Sequence, residues 1–165
     1  MSATTVVGFF LRYAHLCAYF FLTLRKVKMQ MSLVKNPDTS TGLAYQVARI
    51  VYAQTSGGTS LSSVEAFTSM IKNLSVASGI DIGKLIKDRT YFSVLNPDDK
   101  NYSLLTVSAD NPAYQMCLRT AQRMLSGGLP DCCYGAVRFH YSDYIPDWAR
   151  ARGYIADIDG ILYYR

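Results

Sequence analysis

YIADIDGILYYR (Tyr154–Arg165) decides the fold class, because it breaks the helical pattern that dominates the rest of the chain. Apolar and polar residues alternate on both sides of Asp159-Gly160, and Asp-Gly is a two-residue turn that accepts positive φ at both positions. The stretch is therefore a β-hairpin. Just upstream, AVRFHY (136–141) alternates like a half-buried strand and is expected to pair alongside it. PDWARA (146–151), between the two, is one short helical turn opened by Pro146.

Outward from this sheet the period changes to that of helices. Asn111 as cap and Pro112 at the first helical position open a helix whose stripe is Tyr114, Cys117, Leu118, Ala121, Met124 and Leu125. Gly127 and Gly128 close it. LNPDDKNYSLLTVSADNP (95–112) is a long polar loop of the kind that carries the rim of a binding site. A short helix over 82–87 follows Asp81. Ser62 with Glu65 makes a capping box for a helix carrying Val64, Phe67, Met70, Ile71 and Leu74 and stopping at Gly79. NPDTST (36–41) offers Asp38, Ser40 and Thr41 as caps for a helix over 42–55, ended by TSGG. The fold class is α+β, mainly helical with a small C-terminal antiparallel sheet.

One residue of the first helix is awkward. Leu43, Val47 and Ile50 form an apolar stripe, and the next position on it is Gln54. Either the amide is a satisfied core polar group, or it stands where a reacting group belongs.

The 165-residue chain divides into an apolar N-terminal extension, 1–35, and a domain, 36–165, long enough to bury a core without staples. Half the residues are apolar and 18% are charged, which excludes a disordered or collagen-like chain. The net charge of +5 favours a polyanionic partner: nucleic acid, an anionic membrane or a cell wall. Basic residues are scattered and no nucleic-acid-binding motif is present, so nucleic acid is not expected. Four cysteines without a C-x-x-C pair, and two histidines, argue against a metal site. Cys117 and Cys132 have the option of bridging in an oxidising compartment, but buried thiols rank ahead. No cofactor-binding motif is present.

The run Thr4–Leu24 is about long enough to cross a bilayer, yet it contains Arg12 and His15. A charge near the membrane centre costs roughly 2.5–3.5 kcal/mol on insertion scales. The basic cluster Arg25, Lys26 and Lys28 follows the run, the wrong order for a secretory signal. Three readings stay open: a membrane or interface helix, a helix docked on a protein assembly through 4–24, or a true start at Met29 or Met31.

From Ala48 to Tyr164 the chain resembles the SleB-type cell wall hydrolases, the group of spore cortex-lytic enzymes with alphaproteobacterial and phage relatives. The runs that carry the resemblance are ARIVYAQT, SMIKNL, YFSVLNP, YQMCLRTAQRMLSGGLPDCCYGAVRFH and PDWARARGYIADIDGILYY. GAVRFH…W and the terminal DGILYY are its more specific parts. The resemblance implies a lysozyme-related fold acting on peptidoglycan glycan strands as a lytic transglycosylase or muramidase-like enzyme. It also implies a place of action in the cell envelope, the periplasm or a virion.

The family pattern at VYAQT is YAE, with that glutamate as acid/base, so the resemblance places Gln54 at the catalytic position. Cleaving a glycosidic bond needs a proton on the leaving oxygen, which a carboxyl in an apolar pocket can supply near neutral pH. Hydrolysis usually wants a second carboxylate. A lytic transglycosylase needs only one, because the sugar's own C6 hydroxyl attacks and proximity replaces the second group. An amide has no proton to give. Among other acids, Glu65 is assigned to the cap, Asp98 and Asp99 to a loop, and Asp159 to the turn; nothing singles out Asp131, Asp143 or Asp147. Asn73, Phe92, His140, Tyr141 and Trp148 lie in family-like segments and are the candidate substrate contacts. For Phe92 and Trp148, core packing ranks ahead. In a lysozyme-like fold Gln54 is expected at a helix end, facing a cleft with Phe92, His140 or Trp148 nearby.

Overall fold

The computed structural model describes residues 42–165. The hairpin forms as its turn chemistry requires. β2 (Ala156–Ile158) and β3 (Ile161–Tyr164) flank Asp159 and Gly160, whose φ values of 52° and 75° are both positive. That is the primed turn geometry whose twist matches the strands. β1 (Arg138–Tyr141) pairs antiparallel with β3, His140 opposite Leu162, so β3 is central and β1 and β2 are the edges. β1 is shorter than the expected 136–141, because Tyr134 and Gly135 turn the chain with positive φ just before it.

Among the described residues four helices precede the sheet. α1 (Leu43–Gln54) has Gly42 at its cap position with no side-chain bond; the expected caps Asp38, Ser40 and Thr41 lie outside the described residues. Its last two turns are buried on nearly every side, from Val47 through Gln54 with only Arg49 partly exposed. α4 (Pro112–Leu125) packs against it, with Tyr52 and Tyr114 edge to face at 6.1 Å. Asn111 caps α4 by accepting from the N–H groups of Ala113 and Tyr114. Leu125, expected on the buried stripe, is 37% exposed at the helix end. Ser56, Gly57 and Gly58 all take positive φ after α1. A Cβ on Gly58 would lie 3.2 Å from Cys117 Sγ on α4, so this close return, with its positive φ, suits glycine.

α2 (Leu61–Ser78) buries Val64, Phe67, Met70 and Ile71 and ends at Gly79 in the left-handed conformation. Its cap corrects the capping-box expectation. Ser60, not Ser62, accepts from the Ser63 N–H at 3.0 Å, and the Ser60 hydroxyl also donates to the Asp159 carboxylate of the hairpin turn. The distant turn thus selects which serine caps the helix. Glu65 pairs instead with Arg123 of α4 at 2.7 Å. α3 (Ile82–Leu85) is capped by Asp81, which accepts from Gly83 N–H. Single 3-10 turns at Ser93–Leu95, Tyr102–Thr106 and Asp147–Ala149 order the connecting segments.

The architecture of the described residues is α+β, with four helices and a three-stranded antiparallel sheet at the C-terminal end. Helices and sheet meet through aromatics: Phe67 touches Phe139 edge-on at 4.8 Å and Phe92 at 6.2 Å. Cys117, Cys132 and Cys133 are free thiols, so the Cys117–Cys132 bridge is not formed; Cys17 lies outside the described residues. Among the described residues no helix is long and apolar enough to cross a membrane; the run 4–24 lies outside them.

Candidate functional site

Gln54 is the last residue of α1, and its side chain is completely buried. The strand β1 brings Tyr141 onto it. The Tyr141 hydroxyl lies 2.7 Å from the Gln54 backbone carbonyl and 2.5 Å from Oε1, while Nε2 has no partner. A phenol has one proton to offer, and here two oxygens face it. Turning the amide over lets Nε2 donate to the phenol oxygen and leaves Oε1 alone instead. In both arrangements Tyr141 engages one amide atom, and the other has no hydrogen-bond partner among the described residues. This departs from the usual satisfaction of buried polar groups.

The polar loop before α4 closes over Tyr141. Asn101 Nδ2 donates to Ser56 Oγ at 3.4 Å, just past the end of α1. Lys100 Nζ stands 5.6 Å from the Tyr141 ring centre and pairs with Asp143 at 3.2 Å. Burial raises the pKa of Tyr141, and the charges of Asp99 and Asp143 push it further up; the Asn101 side chain opposes them. The hydroxyl is therefore a proton-bearing donor throughout the physiological range. Asp99 and Asp143 are the acids whose fields reach it, though Asp99 Oδ1 is engaged with Asn101 N–H and Asp143 with Lys100.

His140 points to the other face of β1. Its Nδ1 lies 2.8 Å from the Tyr141 carbonyl and its Nε2 2.7 Å from the Tyr164 hydroxyl. A carbonyl only accepts, so Nδ1 carries the proton and Tyr164 donates to Nε2. The ring stacks on Tyr164 at 5.2 Å, and Trp148 closes the group edge-on at 5.8 Å. His140 thus acts on Tyr141 through the backbone and has no recorded contact with Gln54. Trp148 is half-buried, with the Arg138 guanidinium 5.7 Å above its ring.

The remaining candidates lie elsewhere. Phe92 is fully buried against Phe67 and offers no face to a ligand, which is the core role ranked ahead for it. Asn73 Nδ2 donates to Asp131 Oδ1 and Cys133 Sγ, tying α2 to the loop before β1. Burial would raise the Asp131 pKa, but donors from Cys133, Asn73 and Gly135 outweigh it and hold the carboxyl below its usual range. Of the sequence-derived set, Gln54 and Tyr141 come together, His140 and Trp148 form a second cluster, and Phe92 and Asn73 join neither.

The chain matches no family model, no curated protein and no solved structure. Asn101 and Ser56 escaped sequence reading as individuals. The polar loop carrying Asn101 signalled a rim, but its contact with Ser56 spans 45 residues. Among the described residues no cluster of three metal-ligating side chains occurs.

A groove of about 540 Å3 opens beside β1, within the roughly 300–1,000 Å3 of small-ligand pockets. Tyr91, Arg138, Phe139 and Trp148 line it, with apolar residues of α2 below. Gln54 does not line it: its side chain is sealed in the core, so the expected cleft in front of it with Phe92, His140 or Trp148 is not formed, which favours the reading of Gln54 as a core polar residue.

Proposed function

We propose that residues 42–165 are a SleB-type, lysozyme-related domain directed at peptidoglycan glycan strands, with Gln54 at the acid/base position of a lytic transglycosylase. The observation that supports this is the half-satisfied amide at the end of α1. An ordinary core glutamine would have both ends paired, and leaving a buried donor or acceptor unmade costs about 1–3 kcal/mol. A carboxylic acid can occupy the same surroundings, its second oxygen left unpaired as that of the turned-over amide is. Tyr141 donates its proton to the backbone carbonyl, and the acid's hydroxyl can then supply the proton that the 2.5 Å contact lacks. Burial favours the protonated form, the one a general acid needs. As written, Gln54 provides no such proton, so the chain binds glycan without cleaving it.

The complete enclosure of Gln54 favours a second reading, in which the domain is an inert glycan-binding or structural component of an envelope or phage-like assembly. The two part in one experiment: digestion of purified peptidoglycan by the Gln54→Glu form, read by mass spectrometry. The first reading expects 1,6-anhydro sugar products from the variant and none from the parent chain. Binding without either anhydro or reducing-end products from the variant would leave the inert module as the better account.

A further inference from the structure

The loop between α4 and β1 carries two adjacent free thiols, Cys132 and Cys133, in different surroundings. Cys132 is half-buried, and its thiol donates to the Pro130 carbonyl at 3.4 Å. Cys133 is fully buried, and its sulfur has two polar partners. Its S–H donates to Asp131 Oδ1 at 3.3 Å, and Asn73 Nδ2 donates to the same sulfur at 3.4 Å. A base thus stands at the thiol proton, and a donor stands where negative charge gathers as that proton leaves. Burial keeps Cys133 protonated at rest, so an oxidant arriving from solvent meets Cys132 first.

The backbone holds the pair in place. Ser69 of α2 donates to the Pro130 carbonyl at 3.1 Å and accepts from the Cys132 N–H at 3.2 Å. Asp131 accepts from the N–H groups of Cys133 and Gly135 at 3.0 and 2.6 Å. Across one trans peptide the two Cα atoms are about 3.8 Å apart, so the thiols need only side-chain rotation to meet. That spacing is short of the roughly 4.4–6.8 Å usual for a disulfide, so a bond between them is strained. Strained disulfides are easily reduced, which suits a reversible bond and not a structural staple.

We propose that Cys132 and Cys133 are a peroxide-responsive dithiol that closes reversibly to a vicinal disulfide, with Asp131 as the base. In the first step the Cys132 sulfur takes one oxygen from a hydroperoxide and becomes a sulfenic acid. The peroxide gains two electrons, and its other oxygen leaves as water or an alcohol. In the second step the Cys133 sulfur attacks Cys132 while its proton passes to Asp131. The S–O bond breaks, and the hydroxyl leaves as water with the proton that Asp131 took up. Closure draws the Cys133 sulfur off Asn73, which loosens the tie between α2 and the segment entering β1. The device stands apart from the glycan-directed reading.

Trypsin releases both cysteines on one peptide, 124–138, bounded by Arg123 and Arg138. The full chain is exposed to hydrogen peroxide, blocked with N-ethylmaleimide in denaturant and mapped by mass spectrometry. Peptide 124–138 should lose two hydrogens and take up no maleimide, and glutathione should restore both thiols. In Cys133→Ser the reaction should stop at a Cys132 sulfenic acid that dimedone captures. Asp131→Asn should slow closure about 10²-fold, the low end for loss of a general base. Were the carboxylate only holding Cys133 protonated, its removal would speed closure instead. Amide exchange over 133–138 should quicken in the oxidised chain. The parent chain decides the main point without any variant having to fold. Sulfinic acid at Cys132, a disulfide from Cys132 to another cysteine, or two unreacted thiols overturns the proposal. A vicinal disulfide that glutathione leaves intact overturns its reversibility. Closure as fast or faster in Asp131→Asn overturns the role of Asp131, and unchanged exchange over 133–138 overturns the loosening.

Discussion

At one end of β1, Tyr141 reaches a side chain with no exposed surface; at the other, Arg138 lies in solvent beside an open groove. The Gln54 end has shape, burial and a fixed hydroxyl donor but no ionisable group in the pair below the tyrosine itself. The Arg138 end has access and charge but no acid or base lining it to do chemistry. A glycan-cleaving site needs both sets of properties on one path. One four-residue strand connects them, since Phe139 faces the groove while its ring also meets Tyr141 at 6.0 Å. On the proposed glycan-directed reading, separating recognition from proton transfer in this way would let a single substitution at Gln54 silence chemistry without touching binding.

The sharpest way to break this contrast is to give the enclosed end a proton. Gln54→Glu changes volume little, and general acid–base groups contribute about 10²–10⁴-fold, so cleavage should stand clear of the parent background. Desolvation should raise the introduced carboxyl above its ordinary value of about 4.3. Activity as an acid then falls as pH rises through that raised value. Stability follows the same sign: the protonated form is the one the fold favours, so its contribution is complete below about 4.3 and is lost as pH climbs through the folded value. A rate profile and a denaturation series over the same pH range should move together.

Tyr141→Phe probes the same end from the other side. It removes the hydroxyl from both Gln54 oxygens at once and leaves a buried amide with no partner, a loss of about 1–3 kcal/mol in chemical denaturation. Combining it with Gln54→Met tests whether the pair acts as a unit, because the doubly apolar site leaves only the backbone carbonyl of residue 54 unpaired. A double variant as unstable as the sum of the singles would show that the two side chains are not coupled.

The thiols compare buried and open surfaces more gently. Burial pushes Cys117 from 9.0 up to about 12, and burial together with Asp131 does the same to Cys133. Both fold contributions hold below 9.0 and are lost as pH rises toward 12. With Cys17 replaced by Ser, a thiol reagent at pH 8 should label the half-buried Cys132 and spare the other two in the folded protein.

How far these features were legible depends on sequence distance. The Asp159-Gly160 turn, the Asn111-Pro112 start of α4 and the Gly79 stop of α2 are local devices, and each stands where its residues place it. The odd position of Gln54 was visible from helical spacing alone. What spacing could not reveal was the half-satisfaction of its amide, because Tyr141 is 87 residues away. Nor does local sequence mark Ser60 as the α2 cap, because the carboxylate that holds it belongs to Asp159. Arg138 and Trp148 are ten residues apart across a turn, too far for strand or helix periodicity to pair them.

The smallest expected effect addresses whether the enclosure of Gln54 is fixed or gated. Lys100 and Asp143 are both about two-thirds exposed, so Lys100→Ala should cost less than about 1 kcal/mol of stability. The same lysine lies against the Tyr141 ring, and its neighbour Asn101 ties the loop to Ser56 beyond α1. Loosening the loop should therefore speed amide exchange at 99–101 while leaving α1 protected. Placed in the Gln54→Glu background, Lys100→Ala should raise cleavage if substrate reaches the carboxyl by displacing this loop. If loop exchange quickens and cleavage stays constant, the approach to residue 54 runs elsewhere, and the groove along β1 becomes the path to examine by blocking Phe139.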